Sequence, residues 1–155
     1  MKKLKLSIVI VYFIAGCSLS TSFDREFRDF YLKPGEERAE EFAAYPIEKQ
    51  YEIYMWGVRN FHPSPLHLAE VMGKGGMPSA IYVANRMAGT SDPVELSSAI
   101  VVFEWMQLHG IPVCDNKEIV EAMARGLVKS KGTIHEKSYR NILFRTCPIQ
   151  GIGKI

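Results

Sequence analysis

The chain has 155 residues, of which 47% are hydrophobic, enough for one domain with a packed core. Its formal charge of +2 at pH 7 is misleading, because Lys2, Lys3 and Lys5 crowd the first five positions. Without the first sixteen residues, sixteen bases face seventeen acids, and the basic surplus that would argue for a nucleic-acid partner is gone.

Those lysines open a leader. Leu6–Ala15, LSIVIVYFIA, is a ten-residue apolar run. At about 1.5 Å per residue it covers roughly half a hydrocarbon core, too little to span a bilayer. A basic start, a short apolar run and small residues at its end describe a secretory signal peptide. The end, Ile14-Ala15-Gly16-Cys17, resembles the lipobox of bacterial lipoproteins. That resemblance implies cleavage after Gly16 and diacylglyceryl attachment to Cys17, with acylation of the new amino terminus. Two or three chains at ~0.8 kcal/mol per buried CH2 hold a protein firmly to a membrane, where a single chain does not. Ser18, following the cysteine, implies delivery to the outer membrane, facing the periplasm, in a cell with two membranes. The expected organisation is a cleaved leader (1–16), a lipidated tether (17–23) and one helical domain (24–155).

Removing Cys17 from consideration leaves Cys114 and Cys147. In an oxidising compartment two remaining cysteines are expected to pair. The bond would close a loop of about 34 residues, worth ~3.8 kcal/mol in the chain-entropy model. Pro112 and Pro148 place both cysteines beyond helix ends. The competing reading is two buried free thiols.

Along the domain, DREFRDFYL over 24–32 sets Phe23, Phe27, Phe30 and Tyr31 at helical spacing, as a core stripe or as one resting on the membrane interface. Pro34-Gly35 breaks it, and Glu36–Ala44 reads as a short acidic helix with acids in its first turn. Pro46 opens a helix with Ile47, Tyr51, Tyr54, Met55 and Val58 on one face. Ser64 is the expected cap of the next, which runs through Leu68, Ala69 and Met72. After Gly75-Gly76, Pro78 starts a helix carrying Ala80, Ile81, Ala84 and Met87. Asp92-Pro93-Val94-Glu95 is the clearest start: Asp92 accepts an N–H, Pro93 needs none, and Glu95 reaches back as in a capping box. The helix it opens is apolar almost all round (Leu96, Ala99, Ile100, Phe103; Val101, Val102, Trp105, Leu108), which places it at the centre of a stack. Gly110-Ile111-Pro112 stops it, and the pairs Asp115/Glu118 and Thr133/Glu136 repeat the capping spacing before two more helices. No segment alternates as a strand does, so the domain reads as all-α.

The pattern of Gly76-Met77-Pro78, a helix, Gly89-Thr90-Ser91-Asp92-Pro93 and a second helix ending near Gly110 is similar to a HEAT-like helical pair. That likeness implies stacked hairpins in a short superhelix; a compact orthogonal bundle would give much the same sequence pattern.

Chemistry is harder to find. No HExxH, GxxxxGK[ST], GxSxG or SxxK occurs, and His62, His67, His109 and His135 have no zinc-like spacing, so no catalytic, cofactor or metal residues are assigned. Gly73-Lys74-Gly75-Gly76 reads as a helix end and turn rather than a phosphate cradle. Charge is uneven: 24–52 holds nine acids and five bases, 115–155 four acids and eight bases, a distribution suited to packing of the two ends or to steering a partner. Tyr51, Tyr54, Trp56, Arg59, Tyr82 and Arg86 are residue types favoured in interfaces. Two functions follow: a membrane-anchored module, adaptor or inhibitor, that binds another envelope protein; or an envelope hydrolase using Glu52, Glu70 or Glu104 as acid and base.

Overall fold

The computed structural model describes residues 24–148, so the leader, Cys17, the tether, Phe23 and residues 149–155 lie outside it. The described residues are helical, with no strand. The chain forms two units, divided between Arg38 and Ala39. In the first, helix α1 covers 24–32, and its Phe27, Phe30 and Tyr31 are buried, as a core stripe requires. Arg38 lies over the Tyr31 ring at 5.8 Å and donates to the Tyr31 carbonyl at 3.2 Å. Arg38 belongs to α2 (Gly35–Ala44), whose first turn carries Glu36 and Glu37 at the positive end of the helix dipole.

The second unit contains α3 (Ile47–Asn60), α4 (His67–Gly73), α5 (Gly76–Gly89), α6 (Pro93–Leu108), a 3-10 turn at Val113–Asp115, α7 (Lys117–Ser130) and α8 (Glu136–Thr146). The packing follows a simple rule. Each helix lies against its neighbour in sequence and against the helix two further on. This makes two rows, α3–α5–α7 and α4–α6–α8. Helix α6 touches every other helix from α3 to α8, the position its apolar circumference demands. Leu96, Ala99, Ile100, Val102, Phe103 and Met106 are completely enclosed, and burial of a side chain such as Phe103 contributes roughly 1.5–3 kcal/mol. The apolar surround stops short of Leu108, which is exposed.

Several local expectations shift. Ser64 does not cap α4; its carbonyl takes the Leu66 N–H at 2.8 Å, and the helix starts later, at His67. The cap of α7 is Asn116, one residue past Asp115, and accepts the Ile119 N–H at 3.2 Å. Thr133 does not cap α8 either: its hydroxyl donates to the Ser130 carbonyl, while Glu136 reaches back to the Gly132 N–H at 2.7 Å. Asn competes with Asp as a cap acceptor, which is why sequence spacing alone misplaces such starts.

Helix α8 is fastened at two places. A Cβ at Gly126 of α7 would overlap the Tyr139 hydroxyl, so only glycine lets α8 approach this closely. That hydroxyl donates to the Met123 carbonyl at 2.8 Å. At the other end Cys147 is disulfide-bonded to Cys114, with Cα atoms 5.6 Å apart, joining the 3-10 turn to the end of α8.

Candidate functional site

Two polar assemblies meet the first turns of α6, and they differ in how completely they are satisfied. The first surrounds Glu95. Asp92 accepts the Val94 N–H at 2.9 Å, as the sequence implies. The second half of the capping box does not form, because the Asp92 N–H donates to the Thr90 hydroxyl at 3.2 Å. Glu95, only 6% exposed, turns to other donors. Its carboxylate accepts the Tyr51 hydroxyl at 3.0 Å, the Thr90 hydroxyl at 3.0 Å and Arg86 at 3.3 Å. Arg59 stands 3.7 Å away and binds Asp92 at 2.7 Å.

The electrostatics agree with a structural role. Burial, and then the Glu95 charge, push the Tyr51 hydroxyl far above its usual range and keep its proton on for donation. Burial opposes ionisation of Asp92, but Arg59 and the Val94 amide outweigh it and hold the carboxyl below its ordinary value. Arg86 also stacks over the Tyr51 ring at 5.3 Å. Next to this knot, Lys129 of α7 donates to the carbonyls of Ala88 at 2.9 Å and Thr90 at 2.7 Å, closing the end of α5. A carboxylate held by three donors, with a second guanidinium alongside, is an anchor for α3, α5 and α6 rather than a proton acceptor for chemistry.

The second assembly is a cleft of about 490 Å³ between the end of α3, the loop before α4, α6 and α8. Val58, Leu66, Val94, Val101 and Ile142 give it an apolar side. Its polar side carries Ser64, Ser97, Ser98 and Ser138, the imidazoles of His62 and His135, and Arg59. No carboxylate lines it. Ser97 donates to the Val94 carbonyl at 3.1 Å and lies 3.5 Å from His135 Nδ1. Ser98 is 6% exposed, and the Tyr54 hydroxyl donates to its carbonyl at 3.0 Å. The Ser98 hydroxyl itself has no partner among the described residues and faces the cleft. Two smaller hollows lie between α5 and α7 (about 270 Å³) and beside the α5–α6 turn (about 230 Å³).

The residues singled out from sequence fall as follows. Tyr51 and Tyr54 are core; Trp56, Arg59, Tyr82 and Arg86 keep exposed surface. Glu70 pairs with Lys74 at 3.4 Å and faces His109 at 3.9 Å; Glu104 binds Arg145 at 2.7 Å; Glu52 is exposed. None of these three lines any of the hollows above. His109 donates from Nδ1 to the Trp105 carbonyl at 2.7 Å at the end of α6. Among the described residues no group of three or more His, Cys, Asp or Glu is placed to hold a metal ion, and no helix is long and apolar enough to cross a membrane.

Sequence reasoning missed Glu95 as a hub and missed the cleft. A hint of the first was present, since Thr90 two residues before the cap competes for the N–H that a capping box needs. The cleft had no comparable signal, because its walls come from positions as far apart as Val58 and Ile142.

The chain matches no protein-family model, and comparison with curated proteins and with solved structures finds no significant similarity to any of them.

Proposed function

We propose that this chain is a bacterial envelope lipoprotein, tethered by lipid on Cys17, whose helical domain binds another envelope protein as an adaptor or inhibitor. The observation that carries the proposal is the leader: three lysines, a ten-residue apolar run and Ile14-Ala15-Gly16-Cys17 in the order that lipidation needs. Ser18 supports an outer-membrane destination facing the periplasm. The two-row packing of consecutive hairpins supports the helical-repeat reading, a scaffold suited to binding. Tethering raises the local concentration of the domain at the membrane without new contacts.

The hydrolase reading has less behind it. Glu70 and Glu104 are engaged with basic neighbours, Glu52 is exposed, and the largest cleft has no carboxylate.

The anchor is tested by metabolic labelling with radioactive palmitate. The wild-type chain should carry label in membranes, and Cys17→Ser should carry none and keep its leader. A labelled Cys17→Ser product would end the lipoprotein reading. The binding half is tested by cross-linking in membranes. A stoichiometric partner should be recovered, and Glu→Gln at 52, 70 and 104 should not affect it. No partner, combined with a cellular phenotype from one folded Glu→Gln variant, would favour the enzyme instead.

A further inference from the structure

We infer that the cleft bounded by α3, α6 and α8 receives an extended peptide segment of the partner protein, one that presents a carboxylate beside an apolar side chain. This rests on the interaction-module reading and names the surface that does the binding.

The chemistry of the lining argues for it. The ionisable side chains bordering the cleft are Arg59, His62 and His135, all able to donate and none able to repel an anion. Arg59 is shared with Asp92, so its pairing is exposed at the rim rather than sealed. The first turn of α8 adds donors. The Glu136 N–H is taken by the Thr133 carbonyl and that of Tyr139 by the His135 carbonyl, whereas the Lys137 and Ser138 amides have no partner among the described residues. Helix α8 has eleven residues, and its positive end therefore meets the cleft at Ser138 with unused N–H groups.

The Ser98 hydroxyl is the independent sign that something is missing. It sits on a residue more than nine-tenths buried, lines the cleft, and has no partner among the described residues. A buried hydroxyl left without a partner costs about 1–3 kcal/mol, so a group that completes it from outside is favoured to bind. Ser130 also lacks a hydroxyl partner, but it is enclosed and borders none of the hollows described above. Along the other wall, Val58, Val94, Val101 and Ile142 form an apolar strip. Serine and imidazole can each donate and accept, which matches the alternating N–H and C=O of an extended backbone, while the strip takes a side chain. A volume of about 490 Å³ lies within the range for a defined ligand site.

The test uses the full chain, purified from membranes in detergent with [15N]serine and [15N]histidine, and three probes: acetyl-Leu-Asp-Leu-amide, acetyl-Leu-Asn-Leu-amide and acetyl-Leu-Lys-Leu-amide. The aspartyl peptide should shift the amide signals of Ser97, Ser98, Ser138 and His135 in a saturable way. The asparaginyl peptide should bind about tenfold more weakly, and the lysyl peptide should leave these signals unmoved. Ser138→Trp, at an exposed position, fills the cleft from outside and should abolish the response with helicity intact. Should Ser138→Trp lose its fold, His135→Ala in the same titration replaces it and should weaken the aspartyl peptide at least tenfold. Absence of a localised response to the aspartyl peptide at millimolar concentration, or equal responses to all three peptides, would overturn the inference. The membrane cross-linking experiment is separate: a partner captured equally well by wild type and Ser138→Trp defeats the cleft and leaves the interaction module standing.

Discussion

Glu95 and Ser98 lie three residues apart on α6, and each is only 6% exposed. The carboxylate is saturated by Tyr51, Thr90 and Arg86, while the hydroxyl is met by nothing. Burial is equal; satisfaction is not. A buried polar group with every bond made belongs to the fold, because breaking it exposes partners that the interior cannot satisfy. A buried polar group with no bond made contributes little to the fold, and its value lies in what arrives later. This contrast separates the anchoring side of α6 from the receiving side, and each of the following experiments either widens the contrast or destroys it.

The largest effect should come from the disulfide that holds the end of α8, the wall opposite α3 in the cleft. Cys114 and Cys147 are 33 residues apart in sequence, and replacing both by alanine should cost about 3–4 kcal/mol in urea denaturation under oxidising conditions. The same protein under reducing conditions should lose a similar amount without mutation. Equal stability in both conditions would mean that Tyr139 and the core hold α8 alone.

Next comes the anchor. Glu95→Ala leaves the buried Tyr51 hydroxyl and the Arg86 and Arg59 guanidiniums without their shared acceptor, and should cost about 2–3 kcal/mol. The guanidiniums keep solvent contact, which holds the loss below that of a fully enclosed ion pair. Glu95→Gln keeps an oxygen for Tyr51 and should cost roughly half as much. A loss under 0.5 kcal/mol for the alanine variant would remove one side of the comparison.

The sequence made the frame of this domain legible and left its polar interior obscure, for a physical reason. Caps and apolar periodicity are local, so Asp92-Pro93 and the circumference of α6 announce a central helix directly. The all-α fold and the cysteine pair followed from the same local logic. The role of Glu95 depends on Tyr51, 44 residues away, and on a competition with Thr90 for one N–H. Asn116 displaced Asp115 for a similar reason, two good caps standing side by side. The cleft is less local still. His62 and His135 occur in unremarkable positions, one in a loop and one before α8, and only tertiary packing places them on one concavity.

A smaller effect should appear in the pH dependence of stability. The Asp92 carboxyl is held below its ordinary value, so its contribution is complete above the unfolded value of about 3.9 and disappears as pH falls through the lower folded value. Glu136, bound by the Gly132 N–H and Arg140, titrates in the same sense. Denaturation at pH 7 and at pH 3 should therefore show lower stability in acid. Asp92→Asn keeps the cap but loses the Arg59 charge pair, so it should narrow that difference while costing under about 1 kcal/mol at pH 7. An unchanged difference would assign the acid sensitivity elsewhere.

The smallest expected change is the most discriminating. Ser98→Ala removes a hydroxyl that has no partner among the described residues, in the middle of a helix where alanine has the better propensity. Its stability should stay within about 0.5 kcal/mol of wild type, with any change toward greater stability. Glu95, with the same burial three residues earlier, should lose several times that amount under the same treatment. The hydroxyl matters only when the cleft is occupied, so Ser98→Ala should weaken binding of the aspartyl peptide while leaving the unfolding curve in place. If Ser98→Ala instead costs more than 1 kcal/mol in the free protein, the hydroxyl is bonded within the fold, and the receiving side of α6 becomes a second anchoring side.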